Sequence, residues 1–397
     1  MTADAIGRQV PDDDGTTRIR RHVEGILGVP ATEGNLIDVL RNGDEIFPAM
    51  LEAVEQAEHT IDFLTFVYWK GEIGDELASR LCERARHGVR VRVLLDALGA
   101  RPIDTKLLDD MADNGVDVRW FRPLKRFRPT QVNHRTHRKV LIVDEDLGFT
   151  GGVGIADEWR GDARNADEWR DTHFRIRGPA VDGLRAAFLD NWIETNPTLY
   201  DDDVDRFPEP PQHGTAIAQV VRSASETGWS DVDTLFRTLL QLAEHHVRIT
   251  TAYFVPDDEL CDRLCAAAER GVSVEILLPG PHADKRFVQL AGERAYERLL
   301  DHDVAIWSFQ PSMLHAKVMT IDGFVSNIGS ANLNNRSARL DDEVNLVVLD
   351  PHVTAVLDEQ FESDLERSVR IERGRWERRS PLQHAAEWAV RPFKHFF

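Results

Sequence analysis

Two short stretches of this chain place an imidazole beside an ammonium in a fixed frame. The first is His137-Arg-Lys139, followed by Val-Leu-Ile-Val and Asp144, then six residues and Gly151-Gly152. The second is His315-Ala-Lys317, followed by Val-Met-Thr-Ile and Asp322, then six residues and Gly329-Ser330-Ala-Asn332. The shared pattern, H-x-K-x4-D-x6-G-[GS], is expected on the order of 10⁻⁴ times by chance in such a chain. Lysine usage sharpens the point: seven of the 48 cationic residues are Lys, yet both motif positions have it. On a strand, residues i and i+2 face the same way, so each motif presents its histidine and lysine together. Such a face suits a tetrahedral phosphate. Lysine offers charge and donors to the nonbridging oxygens, while histidine can attack phosphorus or hand a proton to a leaving oxygen. Two copies closed face to face supply the nucleophile and the acid–base that a double displacement needs. Asp144 and Asp322 end the apolar runs and read as fixing the motif's geometry from inside the core.

The elements around the motifs repeat as well. In each half a helical pattern ends in Ala-Glu-His and leads into an apolar, β-rich run (Ile61 to Trp69; Val247 to Val255). A second amphipathic helix follows, closed by Gly88 or Gly271, and then another strand. Both halves continue with a short strand ending Phe-x-Pro (Val116 to Pro123; Val304 to Pro311). This alternation predicts an α/β fold: two similar domains, each a mixed sheet flanked by helices, related by a pseudo-two-fold with the active site at their interface. The expected division is an acidic N-terminal lead (1–33), floppy from Met1 to Thr17, a first domain (34–200), an Asp/Pro-rich linker (201–214), a second domain (215–366) and a basic aromatic tail (367–397).

With these motifs the chain resembles the phospholipase D superfamily over nearly its full length. Two stretches look like its bacterial cardiolipin synthase branch. One is Gly329-Ser-Ala-Asn332-Leu-Asn-Asn-Arg336-Ser337 followed by Asp342-Glu343; the other is Gly151-Gly-Val-Gly-Ile-Ala-Asp-Glu-Trp159 followed by Trp169-Arg-Asp171 and Gly178-Pro-Ala-Val181. The resemblance implies metal-independent, cofactor-free transfer of a phosphatidyl group through a covalent phosphohistidine. It makes His137 the nucleophile and His315 the general acid and later base. Lys139 and Lys317, with Ser330, Asn332 and the glycines Gly151, Gly152 and Gly329, would hold the phosphate. Asp171 and Glu343 would each orient a histidine through its other ring nitrogen. The first copy departs from the pattern, with Gly154 in place of Asn and Gly152 where the second copy has Ser330, which leaves backbone N–H groups as that loop's phosphate contacts. Double displacement needs one neutral and one protonated imidazole. Glu343, in the copy with the fuller loop, is expected to charge His315, and the bare Gly152–Gly154 loop to leave His137 room for in-line attack.

Composition bounds the rest. Apolar residues at 42% and charged residues at 29% describe a chain that buries a sizeable core. A net charge of −20 repels a phosphate backbone and argues against a nucleic-acid partner. Cys82, Cys261 and Cys265 cannot form a disulfide framework and read as small buried residues in a reduced compartment. No metal is expected at His134 and His137, where no third ligand joins and Lys139 would repel a cation. No apolar run approaches the ~18 residues of a membrane span, and the N-terminus lacks a signal pattern. The expected location is therefore cytoplasmic, peripheral on the inner face of the cell membrane, with an anionic, phosphatidylglycerol-like phospholipid as partner. Two basic segments could meet such a surface: the loop from Lys125 to Arg135, and residues 367–397, with eight Lys/Arg against three Glu. In the latter, Ser380 and Pro381 would start an interfacial helix carrying Leu382, Ala386, Val390 and Phe393 on one stripe. The leading expectation is a cardiolipin synthase-like phosphatidyltransferase acting on phosphatidylglycerol. The alternatives are a phospholipase D releasing phosphatidic acid and, disfavoured by the charge, a phosphodiesterase nuclease.

Overall fold

The computed structural model describes residues 13–123, 133–195, 208–224 and 230–376. The first half contributes β1 (Thr32–Arg41), β2 (Thr60–Thr65), β3 (Arg90–Asp96), β4 (Asp117–Phe121), β5 (Arg135–Thr136), β6 (Val140–Val143), β7 (Leu147–Gly151) and β8 (Thr172–Arg177). The second contributes β9 (Ala216–Ser223), β10 (His246–Thr251), β11 (Ser273–Pro279), β12 (Ala305–Phe309), β13 (Lys317–Ile321), β14 (Val325–Gly329), β15 (Asp341–Leu349) and β16 (Ser368–Arg370). They join in one 16-stranded sheet whose path runs β16-β12-β11-β10-β13-β14-β15-β9-β1-β8-β7-β6-β2-β3-β4, with β5 attached to β15 off that path. Read outward from the central β1–β9 pair, the two halves have the same order: three antiparallel steps, a fourth into β2 or β10, then two parallel ones. The expected pseudo-two-fold α/β architecture is therefore present, and the halves share one sheet.

The inner strands lie between helices, which is why they read as apolar runs rather than alternating ones. All six residues of β2 and all four of β6 are buried. On one face, helices Asn42–Gln56 and Glu72–Arg86 cover the first half, and Asp231–Leu242 and Asp258–Glu269 the second. Helices Ala180–Thr195 and Pro351–Glu366 cover the other face and enclose a core common to both halves, in which Leu184, Phe188, Val353 and Leu357 meet Leu64, Val140, Ile328 and Leu346. Each such buried aliphatic side chain is worth about 1.5–3 kcal/mol relative to exposure. Gly88 and Gly271, both at φ +88°, close the crossover helices as expected. Their N–H groups reach back to Ala85 O (3.0 Å) and Ala268 O (2.8 Å) and satisfy carbonyls the helix leaves open.

One segment departs from expectation. Residues 13–27 form a helix, not a floppy lead. Ile19 and Val23 on it are fully buried with Val232, Leu235 and Leu239 of the second half. The start of the chain thus crosses to the far half before β1 begins. The acidic residues hid an apolar i, i+4 stripe. Cys82, Cys261 and Cys265 are buried on the crossover helices as free thiols. No described helix is long and apolar enough to cross a membrane.

Candidate active site

Each motif histidine stands in the extended residues that precede a hairpin, outside that hairpin's ladder. What holds it is the other half of the molecule. Arg135 and Thr136 of β5 pair in parallel with Asp341 and Asp342 of β15, and His137 N donates to Asp342 O at 2.9 Å. In the mirror arrangement, Arg170 N donates to Met313 O at 2.8 Å and His315 N to Arg170 O at 2.7 Å. Buried ion pairs fix both straps: Arg135 with Asp96 at 2.9 Å and Arg170 with Asp364 at 2.8 Å.

This stitching crosses the carboxylates. His137 Nδ1 lies 3.0 and 3.1 Å from the two oxygens of Glu343, and His315 Nδ1 lies 2.9 Å from Asp171 Oδ2. Glu343 therefore serves His137, not His315 as expected from its place in the second copy. The reason is topological: each histidine strand pairs with the other half's carboxylate-bearing strand. With Nδ1–H given to a carboxylate, each imidazole keeps its Nε2 lone pair for chemistry.

The two carboxylates are held by different donors at equivalent places. Ser337 Oγ donates to Glu343 Oε1 at 2.6 Å and Ser330 Oγ to Oε2. Trp159 Nε1 donates to Asp171 Oδ2 and Thr172 N to Oδ1, both at 2.8 Å. Ser330 thus holds a carboxylate, although it was expected on the phosphate. Gly152 occupies Ser330's place because a Cβ there would lie 2.1 Å from Asp171 Oδ1. The bare loop gives no extra room: Asp171 fills it at Gly152, and Val67 closes on Gly154, where a Cβ would come within 2.6 Å. Gly151 and Gly329 end β7 and β14 opposite His173 and Asn345. Asn332 is buried, and its Oδ1 has no hydrogen-bond partner among the described residues.

Asp144 and Asp322 stand away from the histidines, at the far ends of β6 and β13. Each accepts three backbone N–H groups: Glu58, His59 and Thr60 for the first, and Glu244, His245 and His246 for the second. They pin the repeated Ala-Glu-His turns onto the motif strands. This placement takes them out of the catalytic groups of the motif, and they are half-buried rather than inside the core.

The lysines lie against the backbone of their own histidines. Lys139 Nζ donates to His137 O at 2.8 Å; Lys317 Nζ donates to His315 O and sits 3.0 and 3.3 Å from the ring nitrogens of His315. Burial and the lysine charges push both His137 and His315 down to about 4, against the pull of their carboxylates. Burial, and for Lys139 also the Lys317 charge, lowers Lys139 to about 7 and Lys317 to about 8. Burial would raise Glu343, but His137, Lys139 and Ser330 hold it down at about 2. Asp171, fully buried instead of solvated, is likewise held below the carboxylate range by His315, Lys317 and Trp159, against burial. At neutral pH both imidazoles are uncharged, so the expected resting asymmetry of one neutral and one cationic histidine is absent. Burial, with two neighbouring ammoniums, outweighs one carboxylate each.

The walls differ between the halves. Phe66 stands edge-on to His137, with ring centres 5.2 Å apart. Around His315 stand Trp159 (5.1 Å), Trp169 (5.5 Å) and Tyr253 (6.1 Å). Phe66 and Tyr253 escaped the sequence reading, although both directly follow the threonine that ends the apolar run or stand one residue beyond it. The basic stretch from Lys125 to Val132 and the tail helix of 380–397 lie outside the described residues.

Comparison with known proteins agrees with this geometry. Residues 50–160 and 236–365, more than half of the chain, match the family described as cardiolipin synthase, PLD-like domain. Cardiolipin synthase 1 of Bacillus anthracis is 30% identical over 97% of this chain and 77% of its own length. A cardiolipin synthase of Clostridium perfringens is 31% identical over 91% of this chain and 76% of its own. Among solved structures, phosphatidylserine synthase of Haemophilus influenzae superposes with a TM-score of 0.72 at 16% identity, covering 96% of this chain and 100% of that one. A two-segment match that coincides with the two halves, and relatives aligned over nearly the whole chain, place it: the protein belongs to the cardiolipin synthase family of phospholipase D-like proteins.

Proposed function

We propose that the protein is a phosphatidyltransferase that joins two phosphatidylglycerol molecules through a covalent phosphohistidine, releasing glycerol. The observation that carries this reading is the pair of buried imidazoles, each held at Nδ1 by the opposite half's carboxylate and flanked by a lysine. The donor's phosphodiester enters between Lys139 and Lys317, whose ammoniums take its nonbridging oxygens. His137 Nε2 attacks phosphorus while Glu343 takes up the positive charge that develops on the ring through the Nδ1–H bond. The incoming anion offsets the two ammoniums that, with burial, keep His315 neutral, and so raises its proton affinity. Protonated His315 then gives its Nε2 proton to the departing glycerol oxygen, held in place by Asp171. In the second half-reaction the neutral His315 takes the proton of the acceptor hydroxyl, whose oxygen displaces His137 from phosphorus.

The substrate is membrane-borne, and the reading includes peripheral attachment to an anionic lipid surface from the cytoplasmic side, supported by the relatives' names as cardiolipin synthases. Incubating the purified protein with phosphatidylglycerol vesicles and analysing lipids by mass spectrometry tests the reaction. Cardiolipin and free glycerol in equal amounts are expected. Phosphatidic acid alone would replace transfer with hydrolysis, and no lipid product with cleavage of single-stranded DNA would overturn the lipid reading.

A further inference from the structure

The two sides of the site differ in one further respect. On the His315 side, Tyr253 Oη donates to both oxygens of Asp284, at 2.9 and 2.8 Å. Lys285 Nζ lies over the same ring, 5.1 Å from its centre. Tyr253 is half-buried, while Asp284 and Lys285 are exposed. They stand on the loop that leaves the C-terminal end of β11, the end of a parallel strand where α/β proteins receive ligands. Both are near enough for their charges to act on Lys317. The first half pairs Asp104, beyond β3, with Lys70 at 3.7 Å, but has no aromatic hydroxyl at the matching place. Tyr253 stands two residues before Val255, whose N–H meets Leu333 O; the residue two before the matching contact, Trp69 N–H to Ile155 O, is the buried Val67. His137 is faced by Phe66 instead.

We propose that Tyr253, Asp284 and Lys285 form the subsite for the alcohol that leaves and the alcohol that enters, and that they select a neutral polyol headgroup over a cationic one. The inference rests on the proposed roles of the two histidines. In-line displacement puts His137 and the alcohol oxygen at opposite apices of phosphorus. By microscopic reversibility the departing and arriving alcohols share one place, within reach of His315 Nε2. The transfer step balances there. The acceptor O–H proton passes to His315, its oxygen forms a bond to phosphorus, and the P–N bond breaks with its electron pair returning to His137. Asp284 has lone pairs left after the Tyr253 bond and can accept from the spare hydroxyls of a glyceryl group. A choline- or ethanolamine-like cation would also seek a carboxylate beside an aromatic face. Lys285 already holds that face and repels it. The same ammonium attracts the phosphate of a second anionic lipid.

The test uses the whole protein with phosphatidylglycerol vesicles and equal concentrations of glycerol and ethanolamine as competing acceptors. Radiolabelled glycerol measures exchange, and phosphatidylethanolamine is measured by mass spectrometry. Lys285→Ala is expected to raise the ethanolamine-to-glycerol product ratio about tenfold, and Lys285→Glu more. Asp284→Asn is expected to lower use of both acceptors, and Tyr253→Phe to raise KM for glycerol several-fold. Ratios that stay within twofold of wild type in both Lys285 variants would overturn the subsite while leaving the phosphohistidine reading intact. Absence of any phosphatidyl transfer by the wild type would remove that reading, and this inference with it.

Discussion

At the scale of single residues, the chemistry depends on which carboxylate belongs to which histidine. Because Glu343 holds His137 and Asp171 holds His315, the two isosteric amides have opposite signatures. Glu343→Gln should slow attack on phosphorus even when the leaving group is activated, by about 10²–10⁴ in comparison with other His–carboxylate pairs. Asp171→Asn should slow turnover of phosphatidylglycerol yet largely spare reaction with a donor whose leaving group needs no proton. Stopped-flow release of p-nitrophenol from a phosphatidyl ester separates the two; the reverse pattern would restore pairing within each half. Ser330→Ala sharpens the same point. Its hydroxyl supports Glu343, so kcat should fall about tenfold, the worth of one hydrogen bond to a charged group, with KM little changed. A raised KM at unchanged kcat would put Ser330 on the phosphate after all. The pH profile follows from the same groups. With a donor whose leaving group needs no proton, attack needs only His137 neutral and the lysines charged, so kcat/KM for that donor should fall as pH drops through about 4 and again as it rises through about 7 to 8. An acid limb near the ordinary histidine value of about 6.5 would show the imidazoles to be unburied in solution. The motif residues themselves were legible in sequence, because both triplets are contiguous. Their pairing was not: Glu343 stands 206 residues from His137, and only the crossing of β5 onto β15 brings them together.

At the scale of elements, the repeat of strand, helix and strand was readable from period and glycine caps, since Gly88 and Gly271 end their helices where the pattern stops. The helix of residues 13–27 was not, because the run of three aspartates at 12–14, where it begins, masked the stripe of Ile19 and Val23. The motif aspartates belong to this scale. Asp144→Ala and Asp322→Ala each remove an acceptor for three backbone N–H groups at φ +51° turns, so each should cost about 2 kcal/mol of stability. Thermal melts by circular dichroism should show the loss, while the folded fraction keeps its kcat. Loss of kcat at an unchanged melting temperature would return these residues to the chemistry.

At the scale of the whole molecule, one sheet carries both halves, and the site exists only where they cross. A pseudo-two-fold was legible from the doubled motif, and its asymmetry only at Gly152 and Gly154; the rest lies in residues outside the motif, such as Tyr253 against Val67 and Trp159 against Ser337. The lock between halves is concentrated at Asp364, which accepts from Arg170 at 2.8 Å and Arg41 at 3.0 Å. Asp364→Ala would strand a buried guanidinium and should cost about 3–5 kcal/mol. Since Arg170 O receives the His315 N–H, kcat should fall with the melting temperature. A fall in stability with full kcat at low temperature would show that the strap is not needed to place His315.

The whole mechanism turns on the covalent intermediate on His137. The most direct measurement is mass-spectrometric detection of a phosphatidyl adduct after acid quench, using a donor with a nitrophenolate leaving group and the variants His137→Ala and His315→Ala. No adduct is expected in His137→Ala. In His315→Ala an adduct on His137 should accumulate and decay slowly, because no base remains to activate the acceptor hydroxyl. An adduct on His315 in the His137→Ala protein, with none in His315→Ala, would contradict the assignment of roles.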